Sequence, residues 1–156
     1  MKPNTKLLIK CIAIPLIVGA VSGLLTSNAM SDFQLLNQPM LSPPAWLFPV
    51  VWTILYTLMG ISSYLIKTSD ATSEEISDAL MIYGYQLIVN FLWPIFFFNF
   101  EWRLFAFLWL ILLWILVLCM IKLFDKISKP AAYLNLPYLI WLTFAAYLNF
   151  AIWWLN

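Results

Sequence analysis

Charged residues leave five long stretches of the 156-residue chain without a single charge. These stretches are Cys11–Ser31, Phe33–Ile66, Ala79–Phe100, Leu104–Ile121 and Pro130–Asn156. Each approaches or exceeds the roughly 20 apolar residues that a helix needs to cross a bilayer. The apolar residues run continuously instead of alternating, which favours helices over barrel strands. We therefore predict an all-α membrane protein, a bundle of five transmembrane helices in one domain over residues 1–156.

Prolines and polar connectors set the expected helix ends. The predicted helices cover about residues 7–25, 45–66, 77–100, 104–124 and 131–155. Pro44 lies where helix 2 starts, a position in which the missing N–H of proline has no cost. Thr72 or Ser73 can cap helix 3. Pro94 is expected to break helix 3, and Pro15 to kink helix 1.

The first apolar stretch has two interpretations. Three lysines precede it and the small residues Ser27 and Ala29 follow it, as in a cleaved signal peptide. However, it is long for a signal peptide, and its Gly19–Gly23 segment offers the small side chains that allow close helix contact in lipid. We expect it to remain as helix 1. The small-residue face could serve either packing within the bundle or a dimer contact.

Basic residues are distributed unequally between the two ends of the predicted bundle. Five crossings place the amino terminus and the second and fourth connectors on one side of the membrane. That side carries Lys2, Lys6, Lys10, Lys67, Lys122, Lys126 and Lys129, and the other side carries only Arg103. Because Lys and Arg are enriched in cytoplasmic loops, we predict a cytoplasmic amino terminus and an external carboxyl terminus.

Composition excludes most catalytic chemistry. The chain is 64% hydrophobic and 10% charged, and it contains no histidine. An imidazole base, a Ser-His-Asp triad and a histidine metal site are therefore excluded. The spans lack the mid-membrane ionisable residues of ion-coupled transporters, and Cys11 and Cys119 fall in apolar runs as small hydrophobes do. We predict no cofactor and no metal site, and no nucleic-acid partner is indicated.

Aromatic surface beside neutral amides is the candidate chemistry that remains. The chain has nine Trp, twelve Phe and seven Tyr residues. Helical spacing aligns Trp52 and Tyr56 on helix 2, Gln86, Asn90, Trp93, Pro94 and Phe97 on helix 3, and Tyr138, Trp141, Ala145, Leu148 and Asn149 on helix 5. An amide gains by leaving lipid whereas a leucine gains little, so these faces should point inward.

The same residues also have purely structural interpretations. Tryptophans at span ends, namely Trp46, Trp102, Trp153 and Trp154, are typical of interfacial belts. Trp109 and Trp114, which lack a polar companion in the sequence, fit packing or lipid contacts. Asn90 and Asn149 could simply clamp helices together. For Trp52, Trp93 and Trp141, periodicity does not decide between packing and a binding site.

Three segments carry a family resemblance: QPMLSPPAWLFPVVWTILYTLMG, QLIVNFLWPIFF and LPYLIWLTFAAYLNFAIWWLN. With Pro-Pro-x-Trp, Val-Trp-Thr-x-Leu-Tyr, Asn-x-x-Trp and Pro-Tyr-x-x-Trp in this order, the chain resembles the TSPO/MBR family. Its members are called tryptophan-rich sensory protein, translocator protein or peripheral benzodiazepine receptor. The resemblance covers nearly everything from Gly19 onward. It implies that helix 1 is retained and that the five-helix bundle often forms a homodimer.

The resemblance also implies a function. Members bind flat hydrophobic ligands beneath the first loop: porphyrins such as protoporphyrin IX, isoquinoline carboxamides and benzodiazepines. We therefore expect a membrane receptor of this kind, with a transporter or efflux component for such molecules as the alternative. By position the resemblance places six residues in the pocket: Trp52, Asn90, Trp93, Trp141, Ala145 and Leu148. The lid would contain Pro43, Pro44 and Trp46. Tyr56, Tyr138 and Asn149 lie on the same helix faces as the pocket residues. Some bacterial members degrade porphyrin in light, which would give Trp52 and Trp141 a catalytic role.

Several positions depart from the family pattern. Leu41 stands where the lid usually has Trp, and Phe33 stands near the usual place of an aromatic residue with a hydroxyl. The sterol motif of animal members is unmatched, because Phe150 and Trp154 occupy its key positions. Without histidine, haem would lack its usual axial ligand, so we expect metal-free tetrapyrroles to be preferred. The expected location is a bacterial cytoplasmic membrane.

Overall fold

The computed structural model describes residues 4–29 and 33–156, and the regular elements within them are helices. They are α1 (Thr5–Thr26), α2 (Leu47–Lys67), α3 (Ser73–Pro94) with a π-helical turn (Ile95–Asn99), α4 (Arg103–Ile127), α5 (Lys129–Tyr133) and α6 (Leu136–Leu155). Five segments are long and apolar enough to cross a membrane, and the fifth combines α5 and α6. The predicted all-α fold with five spans is confirmed. Three residues used in the sequence analysis lie outside the described residues. They are Lys2, which was counted for the membrane orientation, and Met30 and Ser31, which follow the alternative cleavage site.

The entry into α2 differs slightly from the prediction. The helix begins at Leu47, not near residue 45, because Pro44 first accepts a hydrogen bond from the Leu47 N–H at 2.9 Å in a separate turn. A residue that precedes proline avoids the helical region, so Ser42 and Pro43 keep the chain extended here. Pro49 is tolerated because it lies in the first turn, where backbone N–H groups have no helical acceptor.

The predicted fifth helix is divided in two. α5 ends at Tyr133, and α6 starts at Leu136 with Pro137 in its first turn. Since Pro137 has no N–H, it cannot continue the hydrogen-bond ladder of α5, but it fits the start of a new helix. Asn135 lies between the two helices, and its amide donates to Ser62 Oγ at 2.7 Å and to the Ala131 carbonyl at 3.0 Å. The break is therefore tied to α2.

The start of α3 is fixed by a capping box. The Thr72 hydroxyl accepts from the Glu75 N–H at 3.3 Å, and the Glu75 carboxylate accepts from the Thr72 N–H at 2.9 Å. This reciprocal cap makes α3 begin at Ser73, four residues before the predicted start. At the other end Pro94 does not break the helix, which continues as the π-helical turn Ile95–Asn99.

Helix packing leaves one half of the bundle solid and the other half hollow. The larger apolar core, which includes Met59, Leu113 and Phe124, lies toward the charged connectors. α1 packs on α2, and α4 packs on α3 and α6. Gly60 of α2 lies against the α1 backbone, since a β-carbon there would come within 2.8 Å of the Cys11 carbonyl oxygen. The half toward the first loop (the connection between α1 and α2, of which residues 27–29 and 33–46 are described) is left with an open interior.

Candidate ligand-binding cavity

A cavity of about 820 Å³ lies between α1, α2, α3 and α6, beneath the first loop. This volume falls within the range of small-molecule sites, about 300–1,000 Å³. The described residues that line it are mainly apolar and include no Lys, Arg, Asp or Glu. The cavity can therefore accept a large apolar guest but offers no charge to pair with it.

Three indole rings from three helices meet at this cavity. Trp52 of α2 stacks on Tyr56, with ring centroids 5.4 Å apart and planes 29° apart. Trp93 of α3 stacks on Phe97 at 5.4 Å and 20°. Trp141 of α6 makes an edge contact with Phe48 at 5.9 Å. Neighbouring rings thus hold each indole in a defined orientation before any ligand is present.

A buried hydrogen-bond network lies at the deep end of the cavity. The Tyr56 hydroxyl donates to Asn90 Oδ1 at 3.0 Å, and Asn90 Nδ2 donates to the Tyr138 hydroxyl at 2.6 Å. Tyr138 in turn donates to Gln86 Oε1 at 2.9 Å. Leaving such groups unpaired in an apolar interior would cost about 1–3 kcal/mol each. The network therefore joins α2, α3 and α6, and it commits the Asn90 amide to protein partners.

A second amide connects α3, α4 and α6. Asn149 Oδ1 accepts from Trp93 Nε1 at 3.1 Å, and Asn149 Nδ2 donates to the carbonyl oxygen of Arg103 at 2.8 Å. Both candidate asparagines therefore act as helix clamps and also border the cavity. The two interpretations of these asparagines from the sequence are compatible.

The π-helical turn brings two adjacent phenylalanines to the cavity wall. Successive residues of an α-helix are about 100° apart, so neighbours rarely share a face. The wider turn after Pro94 places Phe97 and Phe98 both in the lining, next to Trp93. Phe33 from the first loop packs on them, at 5.7 Å from Phe97 and 5.3 Å from Phe98. Such turns frequently occur at functional sites.

Described residues of the first loop border the cavity, and the loop is fastened to the end of α6 and braced by hydrogen bonds of its own. The Asn37 N–H donates to Asn156 Oδ1 at 2.9 Å, and Asn156 Nδ2 donates back to the Asn37 carbonyl at 3.1 Å. Gln38 donates to the Phe33 carbonyl at 3.0 Å and accepts from the Ser42 hydroxyl at 2.9 Å. Hydrogen bonds thus hold residues 33–42 of the loop over the cavity.

Nine of the twelve residues expected in the pocket meet at this cavity: Pro43, Trp52, Tyr56, Asn90, Trp93, Trp141, Ala145, Leu148 and Asn149. The other three lie elsewhere. Tyr138 is 1% exposed and lies behind the wall, where its ring contacts Trp52 at 6.1 Å. Trp46 is 66% exposed at the start of α2, as expected of a belt residue, and Pro44 belongs to the turn before that helix.

Sequence reasoning missed the contribution of α1 and of the loop amides. Gly19, Ala20 and Gly23 line the cavity, and so do Gln34 and Gln38. The Gly19–Gly23 pattern predicts only a helix-contact face, within the bundle or in a dimer. Small side chains also leave space, and periodicity alone does not separate these two uses.

The tryptophans of α4 have polar partners that the sequence did not reveal. Trp109 Nε1 donates to the Val89 carbonyl at 2.8 Å, and Trp114 Nε1 donates to Thr143 Oγ1 at 2.9 Å. Neither residue lines the large cavity. Their indoles link α4 to α3 and α6, which agrees with the packing role expected for them.

Comparison with known proteins identifies the family. Residues 11–155 match the family model described as TspO/MBR. Over 147 residues the chain is 36% identical to the tryptophan-rich protein TspO of Chlorobaculum tepidum, covering 94% of this chain and 93% of that protein. It is 35% identical to a protein of the same name from Archaeoglobus fulgidus, over 98% of this chain and 99% of that protein. It is also 39% identical to the translocator protein of Ovis aries, over 76% of this chain and 70% of that protein. The resemblance seen in the motifs is thus confirmed, and the chain belongs to the TspO/MBR family of integral membrane proteins.

Proposed function

We propose that the protein is a membrane receptor that binds flat hydrophobic molecules in the cavity beneath the first loop. Porphyrins such as protoporphyrin IX are the proposed ligand class, and isoquinoline carboxamides and benzodiazepines would occupy the same space. The observation that carries the proposal is the convergence of Trp52, Trp93 and Trp141 on one cavity of about 820 Å³.

Ring chemistry supports this ligand class. A planar tetrapyrrole can stack on an indole, and an aromatic pair contributes about 0.5–1.5 kcal/mol beyond the burial of its surface. Burial itself contributes about 25 cal/mol per Å² of apolar surface removed from water. Because Trp52, Trp93 and Trp141 are already oriented by neighbouring rings, ligand binding has little side-chain entropy to lose at these positions.

The lining also favours a metal-free ring over haem. The described lining residues include no Cys, Met or Lys, and the chain contains no histidine. The hydroxyl of Tyr56, the tyrosine in the lining, donates to Asn90, so that its proton is already engaged. An iron centre would therefore find no ready axial ligand.

Fluorescence quenching tests the receptor proposal. We expect protoporphyrin IX to quench the tryptophan emission of the protein in lipid nanodiscs in a saturable manner. Trp52→Phe and Trp141→Phe should each reduce the affinity and the amplitude of quenching. Trp46→Phe is the matched control because Trp46 is exposed and outside the lining. Non-saturable quenching, or equal effects of all three variants, would overturn the proposal.

Light-dependent degradation of porphyrin is a second candidate, since both Trp52 and Trp141 border the cavity. The bound pigment would act as the sensitiser and a nearby indole as the electron donor. If Trp52→Phe and Trp141→Phe variants bleach bound protoporphyrin IX under light as fast as the parent protein, this candidate fails. Pigment accumulation inside protein-containing vesicles in the dark would instead indicate the transporter alternative.

The proposed location is a bacterial cytoplasmic membrane, and the distribution of basic residues supports an amino terminus on its cytoplasmic side. Leu35 in the first loop is 86% exposed, and Asp70 in the connector after α2 is also exposed. In a Cys119→Ala background, we expect a membrane-impermeant thiol reagent to label Leu35→Cys, but not Asp70→Cys, in intact cells. The family resemblance also supports a homodimer, which light scattering in detergent would reveal as twice the chain mass.

A further inference from the structure

The described residues at the mouth of the cavity carry no positive charge. Between the end of α1 at Thr26 and the start of α2 at Leu47, the sequence contains Asp32 and no Lys or Arg. Arg103 is the basic residue on this side of the bundle, but it forms an ion pair with Glu101 at 3.6 Å. It also faces a separate cavity of about 330 Å³, beside Trp102 and Trp153. A ligand entering beneath the first loop therefore meets neutral side chains among the described lining residues.

Two of the polar side chains at the mouth are neutral amides. Gln34 and Gln38 both border the cavity. The Gln38 amide is already engaged, since it donates to the Phe33 carbonyl and accepts from the Ser42 hydroxyl. Gln34 is exposed, and within the described part of the chain its side chain makes no hydrogen bond. Its N–H and C=O groups are therefore available to a ligand.

The deep end of the cavity offers a ligand fewer free hydrogen-bonding groups than the mouth. Asn90, which is 2% exposed, is committed to Tyr56 and Tyr138, and Asn149 is committed to Trp93 and the Arg103 carbonyl. A ligand with one apolar edge and one polar edge would therefore place the polar edge at the loop. An ionised carboxylate that loses water there without a cation would be strongly disfavoured, whereas a neutral carbonyl needs only a hydrogen-bond donor.

We propose that the site selects planar ligands whose polar edge is uncharged, as in esters and amides, over the same ring with free carboxylates, and that Gln34 contacts this edge. The inference rests on the proposed receptor function and narrows its ligand class. On this proposal, the ring of protoporphyrin IX contributes the favourable contacts with the cavity, and its two carboxylates weaken binding.

The test compares protoporphyrin IX with its dimethyl ester, in nanodiscs of neutral lipid, with empty nanodiscs subtracted. We expect the parent protein to bind the ester more tightly. Gln34→Lys should lower the ratio of the acid Kd to the ester Kd by about three- to fivefold, as one partly exposed ion pair would. Each ligand partitions into the lipid to the same extent whichever variant is present. A difference between variants in the ratio of the two Kd values therefore does not come from partitioning.

Gln34→Leu is the matched control for Gln34→Lys, since it also removes the amide of Gln34 but adds no charge. It should weaken ester binding by about two- to tenfold, the effect of one neutral hydrogen bond, and leave acid binding less affected. Equal or tighter binding of the acid by the parent, or an unchanged ratio in Gln34→Lys, would overturn the inference while leaving the receptor function intact. If neither ligand binds saturably, the proposed function itself fails.

Discussion

The backbone of Gly19 in α1 lies directly against the aromatic ring of Tyr56 in α2, with no room between them for a β-carbon. The Tyr56 ring cannot easily move away, because its hydroxyl is held by Asn90 and Trp52 stacks on it. This contact fixes how closely α1 approaches the cavity wall. It also explains why a small residue is needed at one position of the Gly19–Gly23 segment.

Gly19→Ala should therefore destabilise the protein by about 1–3 kcal/mol, the usual cost of overpacking. Thermal unfolding in detergent, followed by circular dichroism, would measure the loss. Gly23→Ala is the control, since a β-carbon at Gly23 would have no other heavy atom within 4 Å. Because alanine favours a helix over glycine, Gly23→Ala should leave the melting temperature unchanged or raise it. An equal change in both variants would contradict a specific role for the contact between Gly19 and Tyr56.

The sequence predicted the number of spans and the inward faces well. Long charge-free stretches reflect the cost of charge in lipid, and buried amides such as Asn90 and Asn149 indicate which face of a helix turns inward. These two effects are local to one helix. The choice of the twelve candidate residues came from the family resemblance, and nine of them border the cavity.

Features that depend on two elements at once were not predicted. Tyr138 shares the inward face of α6 with Trp141, but it lies at the depth where the core is solid, and depth depends on the packing of neighbouring helices. The π-helical turn after Pro94 and the pairing of Asn37 with Asn156 likewise have no periodic signal. Local patterns give the direction of a side chain, whereas tertiary contacts decide what it meets.

The hydrogen bond between Tyr56 and Asn90 can be weighed by a double-mutant cycle. Tyr56→Phe and Asn90→Leu each remove one partner of the 3.0 Å bond. We expect the double variant to be less destabilised than the sum of the two single variants, with a coupling energy of about 0.6–1.7 kcal/mol, as found for hydrogen bonds between membrane helices. Unfolding titrations with a denaturing detergent would provide the three free-energy differences.

The control for this cycle is Tyr56→Phe combined with Asn149→Leu. Asn149 bonds to Trp93 and to the Arg103 carbonyl and shares no hydrogen bond with Tyr56. That pair should be additive within about 0.5 kcal/mol. Equal coupling in both cycles would contradict a specific Tyr56–Asn90 interaction.

Filling the cavity should block binding without harming the fold. Ala145 of α6 lines the cavity next to Trp141 and Leu148. Ala145→Leu adds volume where a ligand would lie, so we expect at least a tenfold rise in the Kd for protoporphyrin IX, from about 1.4 kcal/mol or more of lost contact. The melting temperature should stay within a few degrees of the parent value, because the new side chain extends into open space. Tyr147→Leu, at a lipid-facing position of the same helix that is 43% exposed, should leave the Kd unchanged.

The pairing of Asn37 with Asn156 should control how fast a ligand leaves. Two reciprocal hydrogen bonds hold the first loop to the end of α6, and the loop covers the cavity. Asn156→Ala removes both bonds, each worth about 0.5–1.5 kcal/mol, so the dissociation rate of protoporphyrin IX should rise about two- to tenfold or more. Stopped-flow displacement in nanodiscs would measure this rate. Asn4→Ala, which removes the side-chain cap of α1 at the opposite end of the bundle, should not change it. An unchanged rate in Asn156→Ala would mean that the ligand leaves between the helices and not past the loop.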